Sequence, residues 1–180
     1  LVFLSNISPM KNLDFLLRSL SKISNPIDLV IYGYKKDYNY FKKCLNLIEK
    51  LPNNIKVFIK DHIKNELVQK TLVKYDLFVL PTRGENFGHV ILESLASGIP
   101  VLVSNKVFWQ SDNDGGIKTL PLDEDQWAKE ITIWSNYNNE TIIKRKISAL
   151  KVATNYNDMN QSFQLNKVLF NHVLQIRDKQ

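Results

Sequence analysis

The densest chemistry in the chain lies in Pro81-Thr82-Arg83-Gly84-Glu85-Asn86-Phe87-Gly88-His89-Val90-Ile91-Leu92-Glu93. This segment leaves an apolar run, turns through two glycines and enters a stretch of helical periodicity. A helix that starts this way presents backbone N–H groups with no intrahelical acceptor, and its dipole favours negative charge at that end. A phosphate suits such a site. Glu85 stands before the helix, within reach of a hydroxylated ligand. Glu93 lies about a turn and a half inside it, where its carboxylate can accept from vicinal hydroxyls of a sugar. Taken alone, the two acids read first as structural, Glu85 as a cap matched to the dipole and Glu93 in a salt bridge.

Other reactive side chains give weaker signals. His62 and His89 are acid–base candidates by type, but His89, one turn into the predicted helix, reads as a packing or capping residue. No trio of histidines and carboxylates has metal-ligand spacing, and no G-x-S-x-G nucleophile motif occurs. Trp127 and Trp134 are seven apart on one helical face and read as core, whereas Trp109 fits either the core or a sugar-stacking platform. Lys144-Arg145-Lys146 reads as a solvated helix face, with contact to anionic lipid as the alternative. The single cysteine, Cys44, excludes an internal disulfide and a cysteine-based zinc cluster, and fits a buried thiol in a reducing compartment.

Short apolar runs alternate with longer amphipathic segments, the pattern of repeated βα units. Strands are predicted over Leu1 to Ser5, Asp28 to Tyr32, Lys56 to Ile59, Leu77 to Leu80, Pro100 to Val103 and Ile117 to Leu120. Helices are predicted over Leu13 to Ile23, Asn39 to Leu51, Lys64 to Lys74, Gly88 to Ser97, Glu124 to Asn136, Thr141 to Thr154 and Asn160 to Arg177, the last within a C-terminal helical segment 155–180. Right-handed crossovers then favour one α/β architecture, a doubly wound, Rossmann-like, mostly parallel six-stranded sheet of order 3-2-1-4-5-6 flanked by helices. Ligands of such sheets bind beyond the carboxyl ends of the strands where the order reverses. Here those positions are Asn6 to Lys11 and Thr82 to Gly88.

Composition is that of one globular domain spanning 180 residues, 44% of them apolar. Its abrupt start on Leu1-Val2-Phe3-Leu4, which reads as a core strand, suggests that a preceding domain belongs to the protein. No run approaches the roughly 18 to 20 apolar residues that cross a bilayer. The net charge of +6 is uneven: residues 1–76 hold 13 basic and 7 acidic side chains, and the remainder holds 11 of each. Such a half can attract a nucleotide diphosphate, an anionic membrane or nucleic acid, or simply present solvated lysines.

The spacing Glu85-x7-Glu93, followed by Ser94-Leu95-Ala96-Ser97-Gly98-Ile99-Pro100-Val101, resembles the E-x7-E signature of family 4 glycosyltransferases. The similarity extends to Asp76-Leu77-Phe78-Val79-Leu80-Pro81-Thr82 and to the loop Ser8-Pro9-Met10-Lys11-Asn12. Trp109 and Gly116 to Asp123 are similar to members that build bacterial capsules and other surface polysaccharides. The resemblance implies the C-terminal, donor-binding half of a GT-B enzyme that transfers a sugar from a UDP- or GDP-linked donor with retention and without a metal or other cofactor. It further implies an acceptor, glycan or lipid-linked, bound through an N-terminal domain, a cytoplasmic location at the inner face of the plasma membrane with peripheral association, no nucleic-acid partner, and inactivity of this half alone.

Residue by residue, the same resemblance gives Lys11 the donor diphosphate and the leaving-group charge, and Glu85 the hydroxyls of the transferred sugar. Asn86, Phe87 and Gly88 supply amides near the phosphates, Glu93 takes the ribose diol, and Gly33 lets the backbone approach the ligand. Asn6 stands where the family usually has an arginine, which removes half of a cationic clamp unless Arg83 replaces it. Lys60 stands where the family often has glycine, in the loop that recognises the base.

Competing readings differ in what they require. A dehydrogenase needs G-x-G-x-x-G after the first strand, and Ser5 to Lys11 has no glycine. A phosphoacceptor domain needs an acidic cluster where this chain has Asn6 and Gly33. RNA binding would use Tyr32, Tyr34, Tyr38 and Tyr40 among the basic residues. A nucleotide-sugar epimerase on a GT-B scaffold would share the donor site and need no acceptor.

Overall fold

The computed structural model describes residues 1–157. Six parallel strands form one sheet: β1 (Val2–Leu4), β2 (Ile27–Tyr32), β3 (Ile55–Lys60), β4 (Phe78–Leu80), β5 (Val101–Ser104) and β6 (Ile117–Leu120). Their spatial order is β3-β2-β1-β4-β5-β6, as the alternation of apolar runs and amphipathic segments requires. Register is set by pairs such as Phe3 with Ile31 and Val79 with Leu102. Central strands are apolar on both faces, and β4 and β5 are buried at every residue. The edge strand β3 alternates between buried or half-buried and exposed residues, because only one of its faces is covered.

Helices α1 (Leu13–Leu20), α2 (Tyr38–Ile48), α3 (Val68–Leu72), α4 (His89–Ala96) and α5 (Glu124–Ser135) fill the crossovers, and a sixth, α6, is described over 139–157. The predicted helix over Asn160 to Arg177, and all but the first three residues of the segment 155–180, lie outside the described residues. Both α1 and α2 stop about a turn earlier than their periodicity predicts. Their apolar pattern continues, but the chain closes through bonds from Ile23 N–H to Leu20 C=O and from Leu51 N–H to Ile48 C=O, which tighten the last turn. The predicted helix Lys64 to Lys74 is instead a 3-10 turn, Asn65–Leu67, followed by the short α3. No side chain caps its start, and Leu67 stays exposed, so the first turn has little to hold it.

Packing across the layers is specific. The ring of Phe15 on α1 meets Trp127 on α5 edge-on at 5.6 Å. A buried carboxylate, Asp14, ties α1 to its neighbours: it accepts from Tyr40 Oη and Lys43 Nζ on α2 and from Arg18, whose Nε also donates to Glu124 on α5 at 2.6 Å. This network fixes the start of α1 directly behind the loop Asn6 to Asn12.

Candidate functional site

The sheet order reverses between β1 and β4, and the two loops that leave these strands meet there. Ser8 to Asn12 forms a tight turn in which the Ser8 carbonyl accepts from the N–H groups of Lys11 and Asn12. The Met10 carbonyl accepts from the Arg83 N–H at 2.8 Å, and the Thr82 hydroxyl lies 3.2 Å from the same oxygen. Asn12 adopts φ 60°, a left-handed conformation that asparagine tolerates. Its side chain therefore does not cap α1, and its Oδ1 accepts from Arg83 Nε at 3.2 Å. Above this seam Lys11 Nζ forms an ion pair with Glu85, with both side chains about four-fifths buried.

Gly88 allows the loop to turn into α4. Its φ is 75°, and a Cβ there would lie 2.8 Å from Ile91 Cδ1 and 3.1 Å from Glu85 Cγ. The side chain of Glu85 thus packs in the space that a methyl group would need. The amides of Asn86, Phe87 and Gly88 have no acceptor among the described residues. Trp109 is buried, and its indole N–H donates to the Phe87 carbonyl at 2.8 Å, so of its two predicted roles the structure selects the core one. Its ring joins those of Phe87 and Tyr156, each about 5 Å from the next.

Glu93 sits half-buried on α4, with no hydrogen bond or ion pair to its carboxylate among the described residues. The salt bridge that the sequence predicts for an acid in this position is not among those of the described residues. Burial pushes its carboxyl above the usual value, against a weaker opposite pull from His89. His89 is the first residue of α4 rather than one turn in, and it is exposed with its ring against Phe87. It neither caps the helix nor packs in the core.

Asn6 is exposed just past the end of β1, and its side chain makes no hydrogen bond among the described residues. Gly33 is constrained by a contact within the chain. A Cβ there would lie 1.8 Å from the Ser5 carbonyl oxygen, so the glycine is required by the approach of two backbone segments. Tyr34, next in the chain, accepts from the Ile7 N–H with its carbonyl and stacks its exposed ring on His62 at 4.0 Å. Beside this stack a cavity of about 450 Å³ is lined by Tyr34, His62 and Ile63 to Glu66. Nothing in the residue spacing announces it, because Tyr34 and His62 lie on different loops. Another cavity, of about 490 Å³, opens at the amino ends of the strands beside Leu1, Ile27 and Leu77, away from Lys11 and Glu85.

The remaining candidates are structural. Trp127 donates to the Pro121 carbonyl from the core, and Trp134 is buried. Cys44 is a buried free thiol, and burial pushes its pKa up to about 11. Within Lys144-Arg145-Lys146, Arg145 bonds Tyr137 and lies over Trp134, Lys146 pairs with Asp76, and Lys144 makes an exposed pair with Glu140 one turn away on its own helix, so all three cations are partnered. Of the four tyrosines that RNA binding would use, Tyr40 is buried on Asp14 and Tyr32 bonds Tyr75, which leaves Tyr34 and Tyr38 exposed. Among the described residues no group of three His, Cys, Asp or Glu side chains is arranged to hold a metal, and no helix is long and apolar enough to cross a membrane.

Residues 1–115 match the family described as glycosyl transferases group 1. The chain is 24% identical over 162 residues to the O-antigen biosynthesis glycosyltransferase WclY of Escherichia coli, an alignment that covers 86% of this chain and 44% of that protein. It thus spans less than half the length of that relative. Among solved structures it resembles Anabaena HepE in complex with UDP and glucose, with a TM-score of 0.74 at 19% identity, over 93% of this chain and 47% of that one. It also resembles the C-terminal domain of the group 1 glycosyl transferase LpcC from Francisella tularensis, with a TM-score of 0.71 at 18% identity, over 86% and 83%. The fold is therefore the Rossmann-like one of GT-B C-terminal domains.

Proposed function

Since the chain belongs to the glycosyl transferases group 1 family, we propose that it binds the nucleotide-diphosphate sugar donor of a retaining, family 4 type sugar transfer. One observation carries the reading: Lys11, Glu85 and the open amides of Asn86 to Gly88 converge at the point where the sheet order reverses. The amides and the amino end of α4 favour the diphosphate, and Lys11 stabilises charge that develops on the leaving phosphate. Glu85 accepts from hydroxyls of the transferred sugar.

Glu93 accepts from the ribose diol, which accounts for a half-buried carboxylate with no partner among the described residues. The stack of Tyr34 on His62, beside its cavity and tied to the first loop through Ile7, offers the base a flat apolar surface. Asn6 leaves the cationic clamp short on one side, and Arg83, held on Asn12, supplies the second charge. The acceptor, a glycan or lipid-linked sugar of a surface polysaccharide, binds through a second domain. The O-antigen relative supports that choice of product.

The test is calorimetric titration of the chain with UDP, GDP, ADP and their common sugar conjugates. One nucleotide should bind, and Glu93→Ala should weaken it by about 1–3 kcal/mol, the cost of losing charge-assisted hydrogen bonds. An unchanged affinity in that variant removes Glu93 from the site.

A further inference from the structure

We infer that the Lys11–Glu85 ion pair is an exchange element that makes the site prefer a sugar nucleotide over the bare nucleoside diphosphate, and so favours release of the latter once the sugar has left. The inference rests on the donor-site reading above and adds a discrimination that reading does not contain.

Lys11 is the only cation paired with Glu85 among the described residues, and Glu85 is the only acid paired with Lys11. The two charges neutralise each other within a largely buried seam. Arg83, the nearest cation in sequence, is held on Asn12, and the Glu85 N–H is already committed to the Lys106 carbonyl at 3.2 Å. Glu85 has little freedom to swing toward α4, because its Cγ is seated against Gly88 beside the side chain of Ile91. A diphosphate that draws Lys11 toward itself therefore leaves a carboxylate of low exposure facing phosphate oxygens without a counter-ion. Burying an unpaired charge beside charges of the same sign is unfavourable.

The two ligands differ in what they return to Glu85. A sugar nucleotide brings hydroxyl donors that replace the ammonium, so the carboxylate is again hydrogen-bonded when Lys11 has moved. A bare nucleoside diphosphate brings none, and its terminal phosphate adds negative charge at the same place. The ion pair thus opposes both ligands, but only the sugar-bearing one compensates Glu85. After transfer the compensation disappears with the sugar. Lys11 returns to Glu85 and the diphosphate loses its cation.

The experiment compares the chain with Glu85→Gln, which keeps the shape and removes the charge, by titrating each with UDP and UDP-glucose, GDP and GDP-mannose, and ADP and ADP-glucose. Glu85→Ala repeats the comparison without the amide, and thermal melting establishes that each variant is folded. For the nucleotide that binds, the expected result is tighter binding of the bare diphosphate in both variants, on the order of tenfold for one removed charge at a partly buried site. The ratio of the two dissociation constants should collapse toward one. An unchanged ratio in folded variants, or equal weakening of both ligands, overturns the exchange and leaves the donor site standing. Absence of nucleotide binding in all three proteins overturns the donor-site reading and the exchange with it.

Discussion

At the residue scale, the two carboxylates of the E-x7-E segment have different fates. Glu85 is paired, whereas Glu93 is half-buried without a partner among the described residues, and burial raises its pKa. The sign of the resulting pH effect follows directly. A raised folded-state pKa means that Glu93 takes up a proton at a higher pH than an ordinary glutamate, and a protonated carboxyl loses acceptor capacity for a ribose diol. Affinity for a sugar nucleotide, whose phosphates do not titrate in this range, should fall as the pH is lowered toward and through that raised value. Glu93→Gln should flatten this part of the profile, and an identical profile in the variant would show that Glu93 does not contact the ligand. The glycines behave differently. Gly88 is legible as a turn before a helix, but the collision that a methyl group would make with Ile91 and Glu85 is visible only in three dimensions.

At the scale of elements, α1 is held by a carboxylate that the apolar pattern gives no reason to single out. Asp14 is 2% exposed. Burial alone would raise its carboxyl, but hydrogen bonds from Lys43, Tyr40 and Arg18 outweigh that effect and hold it well below the usual carboxylate range. A depressed folded-state pKa contributes stability that is present above the unfolded value, near 3.9, and is lost as the pH falls below it. Acid unfolding should therefore be steepened by Asp14. Asp14→Asn should cost about 2–4 kcal/mol at neutral pH, by leaving buried donors and cations without their anion, and should flatten the loss of stability below pH 4. Chemical denaturation across this range measures both. Because α1 begins directly after Lys11 and Asn12, the same variant should also loosen the loop that positions the ion pair.

At the scale of the whole molecule, the chain matches less than half of its O-antigen relative. A sugar acceptor needs a second wall that aligns it with the donor within reacting distance. The chain by itself should bind donor and transfer no sugar. Incubation with a radiolabelled sugar nucleotide and a candidate glycan acceptor checks this, and labelled product from residues 1–180 alone would contradict it. The same incubation tests the epimerase alternative, since an epimerised donor would form without any acceptor.

Sequence alone determined the order of elements, the six-stranded doubly wound sheet and the two loops at its switch point, because apolar periodicity and right-handed crossovers leave few other ways to bury these strands. Within those loops it singled out Glu85 and Gly88 by local spacing and backbone requirements, and Lys11 by resemblance to a family loop. The tertiary structure decided which groups are partnered. It joined Lys11 to Glu85 across 74 positions of sequence, turned Asn12 away from its cap toward Arg83, and stacked Tyr34 on His62. It also assigned Gly33 to a contact with Ser5 and drew Arg145 and Lys146 into the fold. These outcomes depend on distances between segments remote in the chain, and periodicity fixes which face a residue occupies without fixing what it meets there.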